Sequence, residues 1–407
     1  MLLVWFLLGV LLALFFRNSL LQLLIQLSIT LRIHILFFCI VKRGIVNVSV
    51  FWWRVSDWIM NPHLVTNVYR ALRRTNQPVY KTHLLGQAVT VVLDRSLMKH
   101  ILELSPECFG PGKYKANLFS QFMLDNLGIS IGREWAMRRQ QIEGLLHTKT
   151  SMALFHSQKA ATIQEILRRT YTQADPRNWQ EFADVAVGAS SEILFGRPVP
   201  EAFVIFEKLN SLRAVWFRRG QVSDNPQWVQ IVDDAIQNSR SLIYQLQNPP
   251  GFNVYDQVPH FLFPLNNVLA SGLARLLYLL TTTPSVSDKL TQTLAAFSCD
   301  ASVETITTIP FLRYVILENL RLSTPVQTYL RQALEPIQWH GTEIHKKEEL
   351  IMLGAPFLRD PEYFPKPHEF VPERWRDKQL VTDSMLMFGW GGQRCPFLEY
   401  ALEIGGV

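Results

Sequence analysis

The chain has 407 residues, 48% apolar, 12% aromatic and 18% charged, with a net charge of +6. That is enough apolar material for a large core, in one large domain or two to three small ones, and it excludes a disordered, collagen-like or repeat-built chain. Its four cysteines, Cys39, Cys108, Cys299 and Cys395, stand far apart with no CxxC pair, which argues against a disulfide framework and against a tetrahedral zinc site.

The charge is concentrated at the start. Arg17, Arg32, Lys42, Arg43, Arg54, Arg70, Arg73 and Arg74 precede Lys81, with Asp57 the single acid among them, so the rest of the chain is nearly neutral. Basic residues beside apolar runs suit an anionic membrane surface. Nucleic acid is not an expected partner, because these charges border apolar runs and not aromatic stacking platforms. Met1 to Phe16 carries no charge, and Leu20 to Val41 is a second apolar stretch interrupted by Arg32 and His34. A spanning helix needs about 20 mostly apolar residues. One of these runs is expected to span, the other to re-enter or lie in the interface. A cleaved signal peptide would need a basic start and a small-residue cleavage site, and neither is evident. A buried hairpin of core helices stays open as an alternative, against which the run begins at Met1 without a capping residue. Residues 1–45 are thus expected to be a hydrophobic membrane anchor, and 46–407 a body that Arg32, Lys42 and Arg43 would keep on the cytoplasmic side.

Helical apolar spacing covers His63 to Arg74. Val79 to Leu85 and Ala88 to Leu93 are apolar runs joined by Gly86-Gln87, which predicts a hairpin. Ser96 to Leu104 predicts a helix with Asp94 at its N-cap. Residues 110–300 predict mainly helices, broken by Pro176, Pro198, Pro200, Pro226 and Pro249-Pro250. Leu265 to Leu280, almost uncharged apart from Arg275, predicts an uninterrupted helix buried in the core. Thr308 to Leu322 predicts another helix. From Pro336 on, Pro and Gly become frequent and helices shorten. The expected fold class is mostly α with a small β region near its N-terminal side.

The chemistry is expected in Phe388-Gly-Trp-Gly-Gly-Gln-Arg-Cys395-Pro-Phe397. A thiolate in a Gly-rich loop before the helical-looking Leu398 to Ile404 is suited to bind a metal. Glycines let the backbone approach a flat cofactor, and backbone N–H groups can hydrogen-bond the sulfur. A lone cysteine is otherwise a small buried hydrophobe, a reading that the flanking glycines weaken.

This stretch resembles the haem loop of the cytochrome P450 family, Phe-x-x-Gly-x-Arg-x-Cys-x-Gly. Phe388, Gly391 and Cys395 fall on the Phe, the first Gly and the Cys. Gln393 stands where the family usually has a basic residue, and Phe397 where it usually has Gly. Further motifs follow the family's order. Trp135-Ala-Met-Arg-Arg139 is similar to its Trp-x-x-x-Arg, and Glu318-Asn-Leu-Arg321 to its Glu-x-x-Arg, followed by Leu322 and Pro325. Arg331 fits an arginine that reaches a haem propionate. Asp360-Pro361, Phe364-Pro365 and Phe370-Val-Pro372-Glu-Arg374-Trp resemble its Pro-Glu-Arg segment. The resemblance covers the chain from about residue 62 to 403.

The resemblance implies the P450 fold preceded by the membrane anchor. It implies haem b with Cys395 as axial thiolate, Trp135, Arg139 and Arg331 at the propionates, and Phe388 and Gly391 in the haem loop. A buried network of Glu318, Arg321 and Arg374 would order that loop. It also implies a monooxygenase that inserts one atom of O2 into a lipophilic substrate in lipid, sterol or terpenoid secondary metabolism. An NADPH-dependent flavoprotein reductase would supply electrons, and the chain would sit in the endoplasmic reticulum membrane. Where the family carries Ala-Gly-x-(Asp/Glu)-Thr, this chain has Pro264-Leu-Asn-Asn267-Val268. Asn267 is the candidate catalytic residue there, although an amide hydrogen-bonds without acting as a general acid; capping of a helix start after Pro264 is the other reading. A haem-thiolate isomerase or dehydratase that needs no reductase is one alternative function. A truncated, non-catalytic relative is the other, because 12 residues follow Cys395 and the family's C-terminal segment is expected to be missing.

Overall fold

The computed structural model describes residues 69–120, 126–146, 191–205, 221–246, 252–264, 268–297, 308–377 and 385–398, except 71, 75, 85, 86, 245, 325 and 327, together with positions 380 and 402. The expected anchor at 1–45 and Asn267 lie outside the described residues. All that follows concerns the unit 72–407.

The chain is mostly helical with one main sheet. In order it forms β1 (Val79–Leu84), β2 (Gln87–Val92), α1 (Arg95–Glu103), β3 (Phe109–Pro111), α2 (Lys113–Phe119), α3 (Gly132–Leu146) and α4 (Pro226–Gln237). Then come α5 (Val254–Phe263), α6 (Leu269–Thr282), α7 (Pro284–Leu294), α8 (Pro310–Ser323), β4 (Thr328–Ala333), β5 (Ile337–Trp339), β6 (Thr342–Ile344), β7 (Glu349–Leu353) and α9 (Gly354–Phe357).

The predicted hairpin is present: β1 and β2 pair antiparallel from Val79↔Val92 to Leu84↔Gln87. The predicted cap is present too. Asp94 accepts the Leu97 N–H at 2.7 Å, an interaction that contributes about 1 kcal/mol at a helix start. Leu97, Met98, Ile101 and Leu102 then form one buried face of α1, at the spacing that puts residues three and four apart side by side.

The β region is not confined to the N-terminal side of the sequence. The sheet runs β1-β2-β7-β4-β3. β7 lies parallel to β2, with Val91 opposite Ile351, and antiparallel to β4, with Leu330 opposite Ile351. β3 closes the other side, with Pro111 opposite Arg331. Arg331 and Ala333 on β4 and Leu350 and Met352 on β7 are buried, the two-residue period of a strand with one covered face.

The helix expected over Leu265–Leu280 also differs. The helical path begins at Val254, where Asn253 caps the Tyr255 N–H at 3.1 Å, and contains Pro259. Pro264 and Val268 both keep right-handed helical angles and have the wider, π-type turn. Pro lacks an N–H, so the ladder loses a bond there; π-turns are rare and concentrate at functional positions. Pro264 is therefore not a helix start. Nor is α6 wholly buried: Leu276 is covered, whereas Tyr278 is 66% exposed.

Two cores flank the site. One gathers Leu127, Trp228, Ile231, Val232, Phe252, Val258 and Phe261, with Trp135 and Phe397 packed against it. The other gathers Leu97, Ile101, Phe109, Val315, Leu350, Phe364 and Trp375, with Phe388, Trp390 and Leu398 packed against it. The cysteine loop thus contributes side chains to both.

Candidate functional site

The cysteine loop is built by two short 3-10 turns, Met385–Phe388 and Gly391–Gln393. Gly389 and Gly391 lie between and within them at φ +82° and +68°, angles that cost an L side chain energy and a glycine none. The Cys395 N–H donates to the Phe388 carbonyl at 2.6 Å, closing the loop. One face rests on the end of α1. The Trp390 indole donates to Glu103 Oε1 at 2.7 Å, and Lys99 Nζ sits 4.5 Å from the Trp390 ring centre.

Gly391 is needed for space as well as for its angle. A Cβ there would run into the Leu102 carbonyl oxygen and lie 2.8 Å from Glu103 Cα, both backbone atoms that cannot swing away. Gly391→Ala is expected to destabilise the fold by about 2–3 kcal/mol, from positive-φ strain plus a backbone collision. A urea-denaturation midpoint measures this, and a loss under 0.5 kcal/mol (about the scatter of a neutral surface change) would mean that the loop does not press on α1.

The sequence-predicted pair on α3 meets the other face. A Cβ on Gly392 would lie 3.6 Å from the Trp135 ring. Arg139 donates to the Arg394 carbonyl at 2.9 Å and to Glu143 at 2.8 Å, so it is anchored on the residue next to Cys395. The Cys395 thiol feels three effects: burial pushes its pKa up, while the Phe397 N–H and the nearby Arg139 charge pull it down. The residue that replaces the family's glycine is well packed: the Phe397 ring meets Phe261 of α5 edge-on, centroids 5.4 Å apart.

Arg331 is buried on β4 and donates to Ser105 Oγ at 3.1 Å and to the Leu330 carbonyl at 2.9 Å. Burial lowers its pKa to about 10. Its neighbour Tyr329 approaches the loop at Gly389, and burial raises its pKa.

Glu318, Arg321 and Arg374 come together as the spacing predicts. Arg321 Nε and Nη2 donate to the two Glu318 oxygens at 2.9 and 2.8 Å. Arg374 Nε donates to Glu318 at 3.0 Å. Arg321 also reaches the carbonyls of Leu358, Pro367 and Glu369. Two donors escaped the sequence reading: the Val371 N–H at 3.1 Å and the Trp375 indole at 3.0 Å, both on Glu318. Trp375 stands beside Arg374 in the chain, which was the available signal.

The donor set suits haem. Cys395 and Tyr329 are half-buried and desolvated, and Tyr329 feels the charges of both Arg331 and Cys395. A thiol, a phenol and a buried guanidinium in one neighbourhood match an amphipathic macrocycle that carries a metal and two carboxylates. Asn267 lies outside the described residues, and Val268 beside it bears no hydroxyl.

The cytochrome P450 family model matches residues 257–396, a stretch that contains the network and the cysteine loop. Cytochrome P450 4V2 of Homo sapiens is 32% identical over 127 residues, which is 30% of this chain and 24% of that protein. Dihydroniloticin synthase of Melia azedarach is 33% identical over 99 residues, 23% of this chain and 19% of its own length. The chain thus matches about a quarter or less of the length of these two relatives. Cyclooctat-9-en-7-ol 5-monooxygenase of Streptomyces melanosporofaciens is 24% identical over 346 residues, 74% of this chain and 73% of that protein. The fold matches that of the retinoic acid bound cyanobacterial CYP120A1 with a TM-score of 0.66 at 19% identity, over 82% of this chain and 84% of the other. Fold, ordered motifs and the match over residues 257–396 agree in what the chain is similar to: the cytochrome P450 family, whose fold implies haem iron ligated by a cysteine thiolate.

Proposed function

We propose that this chain is a haem-thiolate monooxygenase that inserts one oxygen atom from O2 into a lipophilic substrate, with haem b ligated by Cys395. The observation that carries this reading is the Cys395 loop, closed on itself through the Phe388 carbonyl and gripped by Arg139 through the Arg394 carbonyl. Bound haem would supply the oxygen-activating chemistry, and a thiolate ligand favours O–O cleavage.

The chain's own residues would do the holding. The Phe397 N–H donates to the sulfur, which tempers its charge. Trp135 and Arg139 fix the loop from α3, and Gly391 lets the loop lie flat on α1. Arg331 would face a propionate. The Glu318–Arg321–Arg374 network holds the segment 358–371 in place before the loop begins. Phe388 packs on the second core. Electrons would come from NADPH through a flavoprotein reductase. A terpenoid, sterol or other lipid suits the apolar surroundings, and the Streptomyces relative is named for oxidising cyclooctat-9-en-7-ol.

Residues 1–45 would anchor the chain in the endoplasmic reticulum membrane with residues 46–407 as the cytoplasmic body, which the basic residues Arg32, Lys42 and Arg43 support. Among the described residues no helix is long and apolar enough to cross a membrane.

A second reading follows from the residues just before α6. With Val268 at the family's hydroxyl position and Asn267 at its acid, an isomerase or dehydratase acting on a pre-oxygenated substrate would need no proton relay and no reductase. Product formation without NADPH distinguishes it. The first test is the reduced, carbon-monoxide-bound absorption spectrum of the membrane-expressed chain. A thiolate-type band is expected. Its absence from folded, haem-supplemented protein would overturn both readings and leave a non-catalytic relative.

A further inference from the structure

A bulky residue at position 397, where the family usually has glycine, ties the cysteine loop to α5. Phe388, Trp390 and Leu398 pack on the core that holds Leu97 and Trp375. Phe397 packs instead on the core that holds Trp228 and Phe261. Its ring meets Phe261 edge-on, with an interplanar angle of 64°, a favoured geometry for an aromatic pair. Phe261 is fully buried, as are Val258 and Leu262 on the same helix, so it has little room to swing aside. It stands three residues before Pro264, where the helical path widens.

The contact falls on the residue that serves the sulfur. Pro396 follows Cys395 and, as a proline, has no N–H to offer. The first backbone donor after the cysteine is therefore the Phe397 N–H, which donates to the sulfur. The loop is held at three points: the Phe388 carbonyl by the Cys395 N–H, the Arg394 carbonyl by Arg139, and the Phe397 ring by Phe261. The third point limits how the donating amide can turn, a limit that glycine would lack. Hydrogen bonds to a ligating sulfur draw charge from it and raise the potential of the metal it holds.

We infer that Phe397 is a positioning residue for the axial ligand: its ring, seated against Phe261, fixes the backbone amide two residues after Cys395, so that α5 helps to set the charge on the sulfur. The inference rests on the haem-thiolate reading.

The test uses the holoprotein and the variants Phe397→Ala, Phe261→Ala and Phe397→Leu, with Val232→Ala as a control in the same core. Alanine removes the ring without adding the freedom of glycine. Phe397→Ala and Phe261→Ala should both lower the reduction potential of the haem and shift its thiolate-type band in the same direction. Phe397→Leu keeps apolar bulk against Phe261 and should stay near wild type. Val232→Ala should lose stability and keep the wild-type potential. A wild-type potential in Phe397→Ala overturns the inference, and so does an equal shift in Val232→Ala, which would mean general loosening of the core. A shift in Phe397→Ala with none in folded Phe261→Ala removes α5 from the account and overturns it too. Hydrogen exchange in the haem-free protein is the second measurement, and it decides where a variant holds no haem. Protection of the residue 397 amide should fall roughly 2- to 10-fold in Phe397→Ala, the worth of one ordinary hydrogen bond; unchanged protection overturns the inference. If wild type shows no thiolate-type band, the haem-thiolate reading fails by itself, and the exchange measurement decides whether Phe261 fixes the amide.

Discussion

Glu318→Ala should destabilise the folded protein by about 3–5 kcal/mol, the cost of leaving a buried charge without its partner. Glu318 is fully buried and accepts five hydrogen bonds: two from Arg321 and one each from Arg374, the Val371 N–H and the Trp375 indole. Removing the carboxylate strands the Arg321 guanidinium, itself fully buried, and leaves two neutral donors without acceptors. Arg321→Ala should cost less. It leaves Glu318 with Arg374, Trp375 and Val371, although the carbonyls of Leu358, Pro367 and Glu369 lose a shared donor. Arg374→Ala should cost least, since Arg374 lies at the edge of the network and its other bonds go to Pro365 and Lys366. Urea midpoints give the order Glu318 > Arg321 > Arg374. Haem content per folded molecule should fall in the first two, because the network holds the segment that leads to the cysteine loop. Equal midpoints, or wild-type haem content in both Glu318→Ala and Arg321→Ala, would mean that the network is not what orders the loop.

That network was legible in the sequence because each member is a charged residue at a fixed offset: i, i+3 on a helix, then an arginine after Pro-Glu. The hairpin and the Asp94 cap were legible for the same kind of reason, since a turn dipeptide and a capping side chain act over a few residues. What failed was long-range or hidden. β7 pairs with β2 across some 260 positions, and no local period announces a partner that far away. β4 and β7 are short, and the Pro-containing stretch between them masked their alternation. Pro264 misled because proline often opens a helix, whereas here the helix had begun ten residues earlier at Val254. Lys115 and His260 carried no signal: a lysine or histidine on a helix normally faces water, and only the fold makes these two half-buried.

Cys395→Ala should abolish thiolate-ligated haem while leaving the loop in place. The side chain does little for the local fold. The loop is closed by the Cys395 backbone N–H on Phe388 and by Arg139 on the Arg394 carbonyl, and alanine keeps both. Phe397 would still pack on Phe261. The loss of stability in the haem-free protein should therefore be modest, about 1 kcal/mol for one small side-chain group, whereas the ligand is lost outright. Cys395→Ser retains an oxygen of similar reach but not the soft, polarizable sulfur, so it should lose the thiolate-type spectrum even where some haem is kept. Burial raises the pKa of the Cys395 thiol, against the downward pull of the Phe397 N–H and Arg139; a bound metal cation would favour the thiolate, because a coordinating thiol is deprotonated outright. The carbon-monoxide spectra of the two variants, read beside their unfolding curves, decide the matter. A thiolate-type band in either variant would remove Cys395 from the ligand position, and none of the other described cysteines could take its place without moving: Cys108, the remaining one, is held by Glu335 at 2.8 Å, and that carboxylate with burial drives its thiol up to about 11.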